Sequence, residues 1–272
     1  MQNPNTTSPA GDEPDADTAA FYRHVLGLLN GTALPYLVGG AYALNRYTGI
    51  NRHTRDLDVF IRRSDYESIS AALAQAGYET ELTFPHWLGK IHANGVYIDL
   101  IFSSGNAIAE VDDAWFAFSV PADVLGIPTK ICPVEEMIWS KAFIMERERF
   151  DGADVIHLLR ACGERLDWQR LFRRFEPHWR ILLAHLVMFG FVYPADRGVV
   201  PAAIMDELIE RLRRETHSPA PNHDLCLGTL LSREQYLSDI DAQGLQDGRI
   251  IPVGNMTNDD VSVWTQAIPD RR

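Results

Sequence analysis

The 272-residue sequence predicts an α+β protein: an N-terminal mixed β-sheet domain followed by a C-terminal helical domain. Three observations carry this. Short apolar runs broken by Gly-Gly, Asn-Gly and Pro occupy residues 34–131. Helical periodicity then dominates residues 134–214, and a 46% apolar composition can bury a sizeable core. The expected division is a disordered tail over 1–16, a sheet domain over 17–132, a helical domain over 133–214, and a loop with a helical segment over 215–272.

The elements follow in chain order. Residues 1–16 are polar, acidic and Pro-containing, with nothing to build a core. Ala20, Phe21, Val25 and Leu28 recur at helical spacing, so a helix is expected over 17–29, ended by Asn30-Gly31. A buried strand over 34–38 stops at Gly39-Gly40, and a helix over 41–47 closes at Thr48-Gly49. Residues 55–61 read as the second strand. Ser64-Asp65-Tyr66-Glu67 reads as a capping box opening a helix to residue 76, with Gly77 ending it. A strand is expected over 78–82. Strands over 87–93 and 96–102 flank Asn94-Gly95, a strong hairpin signal that puts Asp99 on the outgoing arm. Residues 115–120 and 127–131 add short strands that Pro121 and Pro128 confine to the sheet margin. Helices are then expected over 134–149, 153–162, 168–175, 180–191 and 202–214, a Pro-rich loop over 215–223, and a last helix over 232–241 capped by Ser232.

The net charge of −12 is concentrated toward the two ends of the chain. Residues 1–20 carry four acids and no Lys or Arg, and residues 217–272 carry eight acids against four arginines, so −4 remains for residues 21–216. A mildly acidic body argues against tight binding of long nucleic acid by counterion release. Arg46, Arg52, Arg55, Arg62 and Arg63 nevertheless leave room for a small basic pocket. The arginines of residues 160–180 read as a solvated face in preference to an RNA-binding one. Three widely spaced cysteines suggest neither a disulfide framework nor a zinc site, and no apolar run reaches the roughly 20 residues of a membrane span. A cytoplasmic protein is expected.

Two aspartates two residues apart on a strand project from one face, so Asp56 and Asp58 point together while Leu57, Val59 and Ile61 turn into the core. Asp99 lies within Tyr97-Ile98-Asp99-Leu100-Ile101-Phe102, where an unpaired carboxylate costs several kcal/mol and demands a cation. If the two strands are neighbours, three carboxylates converge and repel one another unless a divalent ion sits between them; all-oxygen ligands favour Mg²⁺ or Mn²⁺. Gly39 and Gly40, between a strand and a helix, would let a triphosphate approach backbone amides at a helix N-terminus.

In this order, Gly39-Gly40, Asp56-Leu57-Asp58 and then Asp99, the chain resembles the nucleotidyltransferase superfamily, which includes polymerase-beta-like, tRNA-end-adding and antibiotic-modifying enzymes. Residues 52–58, Arg52-His53-Thr54-Arg55-Asp56-Leu57-Asp58, look like the Arg-x-Thr-x-Asp-x-Asp form of antibiotic-modifying and toxin-like bacterial members. The fifteen residues between Gly40 and Asp56 slightly exceed the usual spacing and imply a longer loop over 48–53. The likeness covers residues 34–102. It implies a polymerase-beta-like fold and two metal ions held by Asp56, Asp58 and Asp99. It further implies binding of ATP or another nucleoside triphosphate, and attack of an acceptor on the α-phosphorus with release of pyrophosphate. Asp56 and Asp58 would hold the nucleotide metal, and Asp99 would share the second metal and take the acceptor's proton.

Arg52, Thr54 and Arg55, beside the acids, are expected to contact phosphate or restrain the loop. Lys141 is the further nucleotide-binding candidate. Asp151 and Asp154 read at least as readily as a helix cap and a first-turn acid. A small-molecule acceptor is favoured. The alternatives are a toxin-like enzyme acting on tRNA ends and a non-catalytic nucleotide-binding module. Acceptor identity, base preference and oligomeric state carry no signal in the sequence.

Overall fold

The computed structural model describes residues 14–52, 54, 56–220 and 224–268. The expected tail over 1–16 lies almost wholly outside the described residues, as do Arg55 and His53. The described chain reaches back to residue 14, where Asp15 caps helix α1 (Ala16–Gly31) by accepting from the amides of Asp17 and Thr18. That helix therefore begins inside the expected tail.

The N-terminal part is a seven-stranded mixed sheet. Its strands are β1 (Leu37–Val38), β2 (Leu57–Phe60), β3 (Glu79–Phe84), β4 (Leu88–Ala93), β5 (Val96–Ile101), β6 (Val120–Val124) and β7 (Ile127–Ile131). They lie in the order β3-β4-β5-β2-β1-β7-β6. β2 runs parallel to β5 and antiparallel to β1, so the two acid-bearing strands are neighbours. β1 is shorter than the strand expected over 34–38, because Pro35 has no N–H to give to a ladder. The β4–β5 hairpin turns at Asn94 (φ 49°) and Gly95 (φ 83°), the left-handed pair that the Asn-Gly signal predicts. Pro121 lies on the edge strand β6, and Pro128 sits beyond the single β1–β7 pairing at Val38 and Ile131.

Two helices connect the first strands. α2 (Gly40–Thr48) ends at Gly49 in the left-handed region, and α3 (Tyr66–Gln75) is followed by Gly77 at φ 90°. The capping box expected at 64–67 is absent. A 3-10 turn over Arg63–Asp65 leads into α3, and Asp65 faces Arg62 instead of capping the helix. The strand expected over 115–120 is also corrected. Asp112 accepts from the Ala114 amide at 3.0 Å and starts a short helix, α4 (Asp113–Ala117), which buries Trp115. A local side-chain cap outweighs the β-propensity of Trp and Phe there.

The second half is helical: α5 (Val134–Ala142), α6 (Gly152–Cys162), α7 (Trp168–Arg174), α8 (Trp179–Val192) and α9 (Ala202–Thr216). α5 is seven residues shorter than the expected helix over 134–149. After Phe143 the chain folds into a tight hairpin in which Met145 bridges Phe150 and the Asp151 amide donates to the Ile144 carbonyl. Good helix formers are overridden there by tertiary contacts. The helix expected over 232–241 is reduced to α10 (Leu237–Asp241), although Ser232 Oγ does accept from the Gln235 amide as a cap would. An unforeseen helix, α11 (Asn258–Gln266), opens on a Thr257/Asp260 capping box and lays Trp264 against Phe84 and Trp87.

One buried apolar cluster runs from Phe21 and Val25 of α1 through Leu57, Val59 and Leu100 of the sheet to Leu158, Leu186 and Leu208 of the helices. Sheet and helical halves thus share a core. Where they meet, α2 packs on both β2 and α6, which brings the acids of β2 up to the start of the helical half.

Candidate active site

Strand register builds one side of the site. Asp58 and Asp99 are paired across the parallel strands β2 and β5, and Lys90 of β4 is paired with Asp99 from the other side. Side chains paired across adjacent strands share a face, so Asp58, Asp99 and Lys90 form a row across the sheet, with Asp56 two residues up the chain from Asp58. The alternate residues Leu57, Val59, Ile98 and Leu100 are fully buried, which holds the carboxylates on the other face.

Asp99 is not the lone carboxylate the sequence suggested. Lys90 Nζ donates to its Oδ1 at 2.7 Å and lies 3.6 Å from the centre of the Tyr97 ring. The cation that burial demanded is therefore a side chain, from a strand whose lysine the sequence reading did not single out. The hairpin register was the signal that could have found it, because Lys90 stands opposite Asp99 once Asn94-Gly95 is taken as the turn. Burial still raises the Asp99 carboxyl above the usual carboxylate range, against the pull of Lys90.

Asp58 is in the opposite condition. Burial, followed by its neighbours Asp56 and Asp99, pushes its carboxyl up to about 7, and Lys141 and Arg149 only partly offset this. Asp56 is oriented by Thr54, whose hydroxyl donates to Asp56 Oδ1 at 2.8 Å. Thr54 therefore serves an acid in this structure. Oxygen donors, clustered negative charge and a carboxyl pushed toward neutrality describe a place short of a cation, and hard divalent ions suit such donors. Among the described residues no three His, Cys, Asp or Glu side chains converge closely enough to form a ready-made metal cage.

The glycine pair is required by contacts within the chain. Gly40 has φ +52°, and a Cβ there would fall 1.6 Å from Asp58 Oδ2; a Cβ on Gly39 would fall 2.2 Å from the Phe60 ring. The Gly39 amide donates to the Asp58 carbonyl at 2.9 Å, tying the N-terminus of α2 to β2. Asp58 thus lies against the start of α2, where the helix dipole favours negative charge.

The helical half supplies the other side. Lys141 of α5 donates to Asp151 Oδ2 and lies 2.9 Å from Asp154 Oδ2, while Arg149 grips Asp151 through two hydrogen bonds of 2.9 Å. Arg52, expected beside phosphate, pairs with Asp154 and so ties its own stretch of chain to α6. Burial tends to raise Asp151, but Arg149 and Lys141 more than reverse this and bring it down to about 2. Lys141 is raised, its burial outweighed by Asp151 and Asp154. Sequence reading weighed Lys141, Asp151 and Asp154 and did not single out Arg149. This cluster faces the acids, since the charges of Asp58 and Asp56 act on Arg149 as Lys141 and Arg149 act on Asp58.

Other candidates lie elsewhere. Arg62 pairs with Asp65 and Asp113, and Arg63 reaches the Pro85 carbonyl. Arg170 is buried with Glu135 and Glu136, contrary to the solvated face expected for its segment, and Arg174 ties Glu136 to Asp112. Arg160 and Arg180 also hold acids, Asp196 and Glu215.

Residues 22–124 match the family model described as aminoglycoside-2''-adenylyltransferase. No curated protein matches the chain. Among solved structures, the antibiotic-resistance factor ANT(2'')-Ia is 16% identical, covering 63% of this chain and 98% of its own, with a TM-score of 0.44. An antigenic nucleotidyltransferase-like protein from Paracoccidioides brasiliensis is 14% identical over 70% of this chain and 96% of its own, at 0.46. The lincosamide antibiotic adenylyltransferase LnuA is 14% identical over 54% and 98%, at 0.37. Over residues 22–124, and in the motif acids those residues bring together, this chain is similar to enzymes of the nucleotidyltransferase superfamily.

Proposed function

We propose that the chain transfers a nucleoside monophosphate from a nucleoside triphosphate to a hydroxyl of a small, amine-bearing acceptor of the aminoglycoside class, with a divalent metal ion as cofactor. The observation that carries this reading is the in-register Asp58–Asp99 pair beside Asp56, facing the Lys141–Arg149 cluster. Carboxylates on one side and cations on the other suit a metal–triphosphate, which has a cationic and an anionic part. Asp56 and Asp58 would hold the ion, and Asp99 would close the acidic side. Mg²⁺ or Mn²⁺ there would neutralise charge on the triphosphate and orient its α-phosphorus.

The acceptor oxygen attacks the α-phosphorus, a new P–O bond forms, and the bond from the α-phosphorus to the bridging oxygen breaks. Pyrophosphate leaves with that electron pair. The hydroxyl proton passes to Asp99, whose Oδ1 is held by Lys90 and whose other oxygen, Oδ2, would take it. Lys141, Arg149 and Arg52 would exchange part of their hold on Asp151 and Asp154 for phosphate oxygens. Gly39 and Gly40 would act by letting Asp58 reach the start of α2. In this division residues 17–132 provide the donor side and residues 133–214 the phosphate-facing and acceptor-facing wall.

The acceptor class is supported by the family description matched over residues 22–124 and by the net charge of −12, which favours a polyamine over a polyanion. The tRNA-end alternative loses support because Arg160, Arg170, Arg174 and Arg180 are already paired with acids. Buried free cysteines suit the cytoplasm, and among the described residues no helix is long and apolar enough to cross a membrane.

The test is incubation with each α-labelled triphosphate, Mg²⁺ and, in separate tubes, tobramycin, lincomycin and tRNA. Label is expected in the aminoglycoside, with pyrophosphate released and with neither when Mg²⁺ is chelated. Label in tRNA alone would move the reading to RNA ends, and label in nothing would overturn it.

A further inference from the structure

We infer that the Lys90 ammonium occupies the Asp99 end of the carboxylate row, so that this chain holds one divalent ion tightly, between Asp56 and Asp58, where three carboxylates suggest two. The inference rests on the metal-dependent reading above and changes its stoichiometry.

Lys90, Asp99 and Asp58 stand in register on β4, β5 and β2, and the Asn94-Gly95 turn fixes the first two opposite each other. The ammonium is held from two directions, by Asp99 Oδ1 at 2.7 Å and by the Tyr97 ring face at 3.6 Å. Tyr97 precedes Asp99 by two residues and so lies on the same face of β5. The side chains of Lys90 and Asp99 are only 20% and 13% exposed, so water screens their charges weakly.

A divalent ion bound to Asp99 would lie roughly 2.0–2.6 Å from a carboxylate oxygen, and therefore within a few ångströms of the ammonium. Two like charges at that separation in a sheltered site repel strongly. Among the described residues, no ammonium or guanidinium is paired with Asp56 or Asp58. Asp56 receives a neutral hydroxyl from Thr54, and Lys141 and Arg149 are engaged by Asp151 and Asp154. Among the described residues, one end of the row already has its paired cation and the other lacks one.

The inference is tested by titrating Mn²⁺ alone into the full chain and reading bound ion by electron paramagnetic resonance, with thermal melting to confirm folding. The wild type is expected to bind one ion tightly, and Asp58→Asn to lose it. Lys90→Met is expected to bind a second ion at least about tenfold more tightly than the wild type does. Lys90→Arg, which keeps the charge, should behave as the wild type. If Lys90→Met does not fold, Lys90→Gln is read in its place. Two comparable ions in the wild type, or a single ion in the folded neutral variant, overturn the inference and leave the metal-dependent reading standing. No bound ion in the wild type overturns both.

Discussion

The two sides of the site treat their charges differently. On the sheet, Lys90 pairs with Asp99, and Asp58, only partly offset by Lys141 and Arg149, is pushed up to about 7. On the helical side, Arg52, Lys141 and Arg149 surround Asp151 and Asp154, and Asp151 is brought down to about 2. The first arrangement leaves a carboxylate cluster that its own neighbours destabilise. The second is a charge network satisfied within the chain, with one cation in excess. The proposed metal–triphosphate site would need this asymmetry, because a side already neutralised has little to offer an incoming ion. Stability and function should therefore separate on the sheet and coincide in the helical cluster.

The sharpest way to break that comparison is Asp58→Asn. Removing a charge that Lys141 and Arg149 only partly offset should stabilise the metal-free fold while removing the proposed ligand. At pH 8 without metal, the melting temperature is expected to rise by about 2–4 °C or more, the shift that roughly 1 kcal/mol gives in a chain of this size. Turnover in the labelled-triphosphate assay is expected to fall by about 10³-fold, the equivalent of several kcal/mol of lost transition-state stabilisation. A variant that melts lower than the wild type in metal-free buffer would show that Asp58 is satisfied in the empty site.

Much of the sheet side was legible in the sequence, and the reasons are local. Two residues of separation put Asp56 and Asp58 on one face, the Asn94-Gly95 turn placed Asp99, and Gly39-Gly40 marked the strand-to-helix junction. Lys90 escaped because its meaning exists only through register, although the same hairpin supplied that register. The helical side was less legible. Lys141, Asp151 and Asp154 could be named, but the run of helix formers through Ile144, Met145 and Glu146 hid the hairpin that swings Arg149 back onto Asp151. Arg52 was placed beside phosphate because it neighbours the motif in sequence, and a contact to Asp154 a hundred residues away has no local signal. Arg170, with the hydrophilic look of a surface residue, is buried because α5 presents Glu135 and Glu136 to it.

On the helical side, Lys141→Met should cost both properties together. It withdraws the ammonium that lies 2.9 Å from both Asp151 and Asp154 and leaves two buried carboxylates short of a partner. Breaking one partner of a buried pair costs about 3–5 kcal/mol, read as a lower urea midpoint. The KM for the triphosphate is expected to rise by about tenfold, as when a hydrogen bond to a charged group is lost. Intact stability with raised KM would mean that Arg149 and Arg52 carry the network unaided, and lowered stability with unchanged KM would remove Lys141 from the phosphate-facing wall.

The smallest effect tests the sign of the helical cluster's charge balance. Asp151 is held at about 2, below its ordinary 3.8, so its folded form resists protonation more than its unfolded form does. Its contribution to stability is fully present above pH 3.8, shrinks as pH falls from there, and is gone below about 2. By linkage this amounts to about 2 kcal/mol across the window. Asp151→Asn should remove that part of the acid slope, so wild-type and variant urea midpoints converge as pH drops from 5 toward 2. Asp58 contributes the opposite slope, because a raised carboxyl costs stability as pH climbs from 3.8 through about 7. Comparing Asp151→Asn with Asp58→Asn over pH 2–8 separates the two, since each variant should flatten a different half of the stability curve. Both variants flattening the same half would mean that the two sides share their protons and act as a single charge network.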